Sequence, residues 1–318
     1  MGRQLGATLY LLRKPILALS ANTKVRDILT KAPVTRAVVA RFIPGDDTVK
    51  AVKTVADVRA KGMQVSLDFL GEGVSTLADA KATVAAYVEL LDQLQAATLI
   101  AGAEVSVKLS AVGQSLPGGD IIALEHARQI VTSAYSRGAR VTFDMEDHTT
   151  VDSTLQTLFA IRQDFPDVGV AIQAMLHRTA DDLEKLTGRG SRVRLVKGAY
   201  NEPEQVAYQG AENVDLAYVR ALKILMAGDG HPMVGSHDPR LIAIAGQLAR
   251  ESNRTPDSYE FQMLFGIRTT EQERLAAEGN TVRIYLPYGS DWYGYFTRRL
   301  AERPANLLFF VRSMLTKS

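Results

Sequence analysis

Between about residues 60 and 290 the chain alternates short runs of two-residue hydrophobic period with longer runs of helical period. The short β-rich runs are QVSLDFLGE (64–72), AEVSVKLSAV (103–112), ARVTFDME (139–146), VGVAIQAM (168–175), VRLVKGAY (193–200), MVGSH (233–237), YEFQML (259–264) and VRIYLPYG (282–289). Helical patterns lie between them. The first puts Leu77, Val84, Tyr87, Val88, Leu91 and Leu94 on one face, and the pattern after the fifth strand covers roughly 203–227. Eight strands, each followed by a helix, is the count of a (βα)8 TIM-like barrel of the α/β class, at its usual size of about 250 residues. A doubly wound open sheet would carry a glycine-rich turn after its first strand, and LGEGVS matches that fingerprint poorly. The organisation expected is an N-terminal helical arm over 1–60 and a barrel domain over 61–318. Within the arm, LGATLYLLRKPILAL is interrupted by Arg13, Lys14 and Pro15 and reads as an amphipathic helix rather than a signal peptide.

Alternate residues of a strand face opposite ways, so each barrel strand has one parity toward the helices and one toward the axis. Strand two splits into Val105, Val107, Leu109 and Ser106, Lys108, Ser110; strand three into Val141, Phe143, Met145 and Thr142, Asp144, Glu146. Gln173 falls between Ile172 and Ala174, and Arg194 between Val193 and Leu195. Strand seven sets Glu260, Gln262 and Leu264 against Tyr259, Phe261 and Met263; strand eight sets Arg283 and Tyr285 against Val282 and Ile284. One parity is thus charged or amide-bearing in strand after strand, where a purely structural barrel core would be branched aliphatic. Two readings follow: a salt-bridge layer in which Lys108, Asp144 and Arg194 satisfy one another, or a polar cavity at the carboxyl ends of the strands.

A second signal lies near the end, in YFTRRLAER (295–303). Asp291 can cap this helix and Pro304 stops it; Tyr295, Arg298, Arg299 and Glu302 share one face beside an apolar stripe of Trp292, Phe296 and Leu300. Paired arginines beside a packing stripe fit a face that looks into an anion-holding pocket. With Lys108 they are ample for one carboxylate, each charge-assisted bond being worth roughly 1.5–3 kcal/mol away from water.

Composition narrows the chemistry. A net charge of +2 with no long basic run gives no field to favour nucleic acid. The absence of cysteine excludes disulfides, thiolate catalysis and cysteine metal sites, and suits a reducing cytoplasm. No stretch is long and apolar enough to span a bilayer. His148 and His177 follow strands three and four without HxH or HExxH spacing, so they read as loop histidines, and no metal is expected.

VRIYLPYGSDWYGYFTRRLAERPAN (282–306), with VRLVKGAY (193–200), SVKLSAVG (106–113), YEFQMLFG (259–266) and GSH (235–237) in order, resembles the flavin-dependent proline dehydrogenases in their short, single-function bacterial form. The resemblance implies oxidation of L-proline to pyrroline-5-carboxylate with FAD as cofactor and hydride passing from C5 to flavin N5. Electrons would go on to a membrane quinone, so the protein would be cytoplasmic and peripheral at the inner face of the cell membrane. Since no aldehyde dehydrogenase module follows residue 318, a separate pyrroline-5-carboxylate dehydrogenase is expected downstream. The resemblance also implies roles. Arg298, Arg299 and Lys108 would bind the substrate carboxylate, with Asp144 orienting the lysine; Tyr285, Tyr295, Tyr200, Leu195 and Leu264 would wrap the ring, and Glu72 would gate the site with Arg298. Arg194 would sit beside flavin N5 and Gln173 at the isoalloxazine edge. Lys197, Gly198, Ala199, Ser236 and His237 would hold the flavin and its phosphates, and Glu302 the polyol or ribose. Tyr285 implies preference for proline over hydroxyproline. SHD (236–238), where many relatives carry Thr-His-Asn, leaves the role of Asp238 open, and the residues name no proton acceptor. Two other classes stay in view: a class I aldolase with its Schiff base at Lys108 or Lys197, and a barrel that binds an amino acid without catalysis.

Overall fold

A computed structural model describes residues 42–45, 47–71 and 73–292. Most of the expected arm (1–41) and the positions of Glu72, Tyr295, Arg298, Arg299 and Glu302 lie outside that range. Eight parallel strands close into a barrel in sequence order: β1 (Gln64–Phe69), β2 (Glu104–Lys108), β3 (Arg140–Asp144), β4 (Gly169–Gln173), β5 (Arg192–Val196), β6 (His231–Gly235), β7 (Glu260–Leu264) and β8 (Val282–Tyr288). Closure is by β8 on β1, with Ser66 level with Tyr285. Around them run α1 (Thr48–Ala60), α2 (Leu77–Ala96), α3 (Gly119–Ser136), α4 (Val151–Arg162), α5 (Thr179–Glu184), α6 (Ala211–Ala227), α7 (Pro239–Glu251) and α8 (Thr269–Ala277).

The strands alternate as their parity predicts. Val65, Leu67, Val105, Val107, Val141, Phe143, Val170 and Leu195 are wholly buried, packed outward with helix residues such as Leu90, Leu91, Ile130 and Leu158 in one core. The buried stripe of α2 is Ala80, Thr83, Val84, Tyr87, Leu90, Leu91 and Leu94; Leu77 and Val88, expected on it, are exposed and half-buried. Thr76 starts that helix with a capping box, its hydroxyl accepting from the Asp79 N–H while the Asp79 carboxylate accepts from the Thr76 N–H. All strands but β7 end before their hydrophobic runs do, and Ser110–Val112 forms a 3-10 turn instead of continuing β2. The helix expected from about residue 203 begins at Ala211, because Gly210 at φ +80° breaks the run and the loop before it bonds elsewhere. Tyr208 N–H donates to Met175 O (2.8 Å) and His177 N–H to Val206 O (2.9 Å), tying this loop to the end of β4.

One departure from a regular barrel bears on the mouth. α1 precedes β1 yet packs on both β1 and β8, and on α2. It therefore covers the seam that a helix following β8 covers in a regular (βα)8 barrel. Val55 lies at its centre, fully buried, whereas Val49 on the same helix is 70% exposed. If α1 is part of the barrel wall, Val55→Asp strands a buried carboxylate and lowers the thermal midpoint sharply, while Val49→Asp leaves it unchanged. Thermal unfolding of the two variants checks this.

Candidate active site

Inside the barrel the polar parity pairs with itself at two levels, one below the other, as the salt-bridge reading expects. At the lower level Arg283 donates through Nε and Nη2 to the Glu260 carboxylate (2.8 and 3.0 Å) and through Nη1 to Val65 O and Gly102 O. Arg192 bridges Glu104 (3.1 Å) and Glu260 (3.5 Å). Arg194, rising from the next inward position of β5, has every N–H engaged. Nε donates to Gln262, Nη1 to Ser106 Oγ (2.7 Å) and Asp144 Oδ1 (2.6 Å), and Nη2 to Ser66 Oγ (3.0 Å) and Glu104 Oε1 (2.8 Å). Burial alone would raise the Glu104 carboxyl, but Arg283, Arg194 and Arg192 around it hold it at about 2.

The upper level is open-handed by comparison. Lys108 pairs with Asp68 at 2.7 Å and stands 3.8 Å from Asp144, whose Oδ2 also accepts from the Tyr285 hydroxyl at 2.7 Å. The Arg194 guanidinium lies over the Tyr285 ring, 5.2 Å from its centroid. Burial works against ionising Asp144, and Arg194 and Lys108 overcome it, so that carboxyl titrates below its usual range. Asp68 is the reverse case. It is 1% exposed, its Oδ1 has no hydrogen-bond partner, and burial, with Asp144 adding repulsion, outweighs Lys108 and pushes it up to about 6.

Along the rim from β4 to β7 the side chains expected at a cofactor come together. Gln173 Nε2 donates to Glu146 O (2.7 Å). Lys197 is ion-paired with Asp215 and with Asp238 (3.1 Å). Asp238 caps α7, accepting from the Arg240 N–H at 3.0 Å, and Arg240 bridges the same two carboxylates. An asparagine could cap equally well, so what the carboxylate of Asp238 adds is its hold on Lys197. His237 Nε2 accepts the Leu264 N–H (2.8 Å), which leaves the ring proton on Nδ1. Gly198, between Lys197 and Ala199, sits at φ +118°, and a Cβ there would meet Met175 Sδ at 2.4 Å. An ammonium, the Ser236 hydroxyl, an imidazole N–H and a backbone that only glycine can adopt make a donor set suited to phosphates. The residues present fit FAD.

The structure sets one expected residue apart. Leu195 has the outward parity of β5 and no exposure, and the Tyr218 hydroxyl bonds its carbonyl from the helix side; it cannot wall a pocket at the mouth. The nearer partner of Lys108 is Asp68, not Asp144, whose stronger ties are to Arg194 and Tyr285. Asp68, Ser66, Glu104 and Arg192 were missed in the sequence reading, although the first three share the inward parity within the β1 and β2 runs and Arg192 shares it one residue before the β5 run. Glu202 was missed too: its buried carboxylate takes the His148 N–H (2.9 Å) and pairs with the His148 ring, fastening the loop after β5 to the loop after β3. His177 bonds Glu204 O and stacks edge-on with Tyr208. Among the described residues no cluster of three or more histidines and carboxylates is placed to hold a metal ion, and no helix is long and apolar enough to cross a membrane.

A closed parallel barrel whose carboxyl end gathers a tethered lysine, an anchored arginine and a tyrosine over a charged floor defines the class of the molecule: a TIM-like barrel. Residues 51–312 match the family model described as proline dehydrogenase. Proline dehydrogenase 1 of Bacillus subtilis (strain 168) is 36% identical over 307 residues, 96% of this chain and 100% of the relative. The proline dehydrogenase of Deinococcus radiodurans is 36% identical over 308 residues, 96% of this chain and 98% of that one. Among solved structures, proline utilization A from Bdellovibrio bacteriovorus, inactivated by N-propargylglycine, superposes with a TM-score of 0.75 at 25% identity, over 84% of this chain and 32% of that much longer one. The chain belongs to the proline dehydrogenase family and is an oxidoreductase of proline catabolism. The aldolase reading and the non-catalytic reading both end there.

Asp68 titrates near 6 in the folded chain, against about 3.9 for an unperturbed aspartate. The folded state therefore binds the extra proton between those values, and this group makes stability fall as pH rises through that window. Asp68→Asn removes the fall. Thermal midpoints measured from about pH 4 to about pH 6.5 should shift in favour of the variant as pH rises; parallel curves for the two proteins would contradict the assignment.

Proposed function

We propose that the chain oxidises L-proline to pyrroline-5-carboxylate with FAD bound over the carboxyl ends of the strands. The observation that carries this is the pairing of a closed cationic floor, centred on Arg194, with an upper level where Lys108 and Tyr285 are held by buried carboxylates. When bound, FAD would supply the two-electron acceptor, at flavin N5, for the hydride from proline C5, and a membrane quinone would be the onward acceptor. Gln173 and Arg194 would lie along its ring system, and Lys197, Gly198, Ala199, Ser236 and His237 would hold its phosphate side, with Glu302 at the polyol or ribose.

Lys108 binds the substrate carboxylate, Asp68 and Asp144 fixing its ammonium from two sides. Tyr285 presents its ring to the pyrrolidine while its hydroxyl is fastened to Asp144; Leu264, level with Tyr285 on the neighbouring strand, and Tyr200 complete the wall. Arg298 and Arg299 complete the carboxylate clamp, Tyr295 covers the ring, and Glu72 closes on Arg298. What supports this last group of roles is the seam between β8 and β1. α1, from before β1, already fills it, and Trp292 follows β8 at the carboxyl rim.

The same face is the natural side for a membrane quinone, with the protein cytoplasmic and peripheral to the bilayer. Val49, Leu77, Ile121, Tyr200 and Leu216 are the exposed large apolar side chains among the described residues. Each lies toward a helix N-terminus or in a loop after a strand, hence toward the carboxyl end of the barrel. A separate pyrroline-5-carboxylate dehydrogenase would take the product.

The direct test is anaerobic addition of proline to the purified flavin-loaded protein. Bleaching of the flavin band near about 450 nm, set by the cofactor, is the expected result; a loaded protein that stays oxidised would end the proposal. Steady-state kinetics tests the clamp separately. Arg298→Met and Arg299→Met should each raise KM for proline about tenfold or more, since each removes a charge-assisted bond.

A further inference from the structure

Arg194 has no N–H to spare, and that determines how it can act on a bound flavin. Its five donors are taken by Gln262, Ser106, Asp144, Ser66 and Glu104, all side chains of the barrel interior. Unless one of these bonds is exchanged, the guanidinium influences its surroundings through its positive charge. That charge is offset from two sides. Asp144 offsets it at the upper level, where Tyr285 and Lys108 share the carboxylate. Below, the offset is Glu104, wholly buried, which divides itself between Arg194 (2.8 Å) and Arg192 (3.1 Å) and accepts the Ser66 hydroxyl (2.7 Å).

We propose that Glu104 is a positioning residue that sets the reduction potential of the cofactor by offsetting the charge of Arg194 from beneath, with Arg192 as its counterweight. The inference rests on the flavin reading above. Reduction of a flavin by hydride adds negative charge to the ring, so a more positive floor favours the reduced form and a less positive floor disfavours it. Glu104 reaches no substrate position: it begins β2, paired in register with Ser66, at the level of the closed ionic floor. The charges that surround it from β5, β7 and β8 are Arg192, Arg194, Glu260 and Arg283.

Redox titration of the flavin-loaded proteins tests this with variants of opposite sign. Glu104→Gln, which keeps shape and removes charge, should raise the two-electron midpoint potential by about 30 mV or more, a tenfold change in the oxidised-to-reduced equilibrium. Arg192→Gln should lower it, because Glu104 then bears on Arg194 with less competition. This second variant carries the test if Glu104→Gln does not fold. Ser66→Ala removes a neutral bond from Nη2 and should leave the potential at the wild-type value. An unmoved or oppositely moved potential in the charge variants overturns the proposal, as does a Ser66→Ala shift equal to that of Glu104→Gln. A wild-type chain that binds no flavin overturns this inference together with the flavin reading. A wild type that is loaded and reduced by proline, with variants at its own potential, overturns this one alone.

Discussion

Electroneutrality of the barrel interior is the constraint on which the rest of the molecule depends. Arg192, Arg194, Arg283 and Lys108 point into a space enclosed by the sheet, and Glu104, Glu260, Asp144 and Asp68 cancel their charges. An isolated buried charge costs several kcal/mol, and a paired one repays that cost only with good geometry and full hydrogen bonding. The lower level meets them in large part: Glu104 is held by Arg192 and Arg194 and Glu260 by Arg192 and Arg283, although Arg192 Nε is buried without a partner. Arg283 spends its remaining donors on Val65 O and Gly102 O, so that one guanidinium also ties β8 to β1 and to the loop before β2. Removing any single member would leave its partner charged in the dark, which makes the floor rigid as a unit.

That rigidity ends one layer up. Asp68 retains an oxygen without a partner and titrates near 6, while Asp144, one strand beyond Lys108, is held ionised by its cations. Two carboxylates flanking one lysine have thus been pushed in opposite directions by their surroundings, a pattern that belongs to functional sites more than to structural ion pairs. The stable lattice beneath allows the upper layer to remain under-satisfied without loss of the fold. A floor fixed before substrate arrives needs no reorganisation during the reaction, and this is the condition under which buried charge is most effective.

Most of this was legible in the sequence as pattern, and less of it as pairing. Period-two alternation located all eight strands and marked Lys108, Asp144, Arg194, Gln262 and Arg283 as inward-facing. It did not give the partners, because Glu104 and Arg194 are 90 residues apart in sequence and meet only through barrel closure. Arg192 starts β5 one residue before the run VRLVKGAY, whereas Glu104 lies inside AEVSVKLSAV and shares the parity of Ser106 and Lys108. The loop before α6 looked helical because its neighbours Glu202, Val206 and Tyr208 bond to residues from other loops, which local propensity does not register. Leu195 shows the opposite failure. Its parity placed it outward beside Arg194 from the start, and the family resemblance carried it to the pocket against that evidence.

The position of α1 connects the fold to the chemistry. In a regular barrel the helix after β8 seals the last seam, so the same segment has to pack a wall and cannot also serve the mouth. Here a helix from before β1 supplies the wall, with Ala51, Val55 and Val58 buried against the barrel. Stability of the seam is therefore carried by residues N-terminal to the sheet, and a substitution on the inner face of α1 acts on unfolding through that seam.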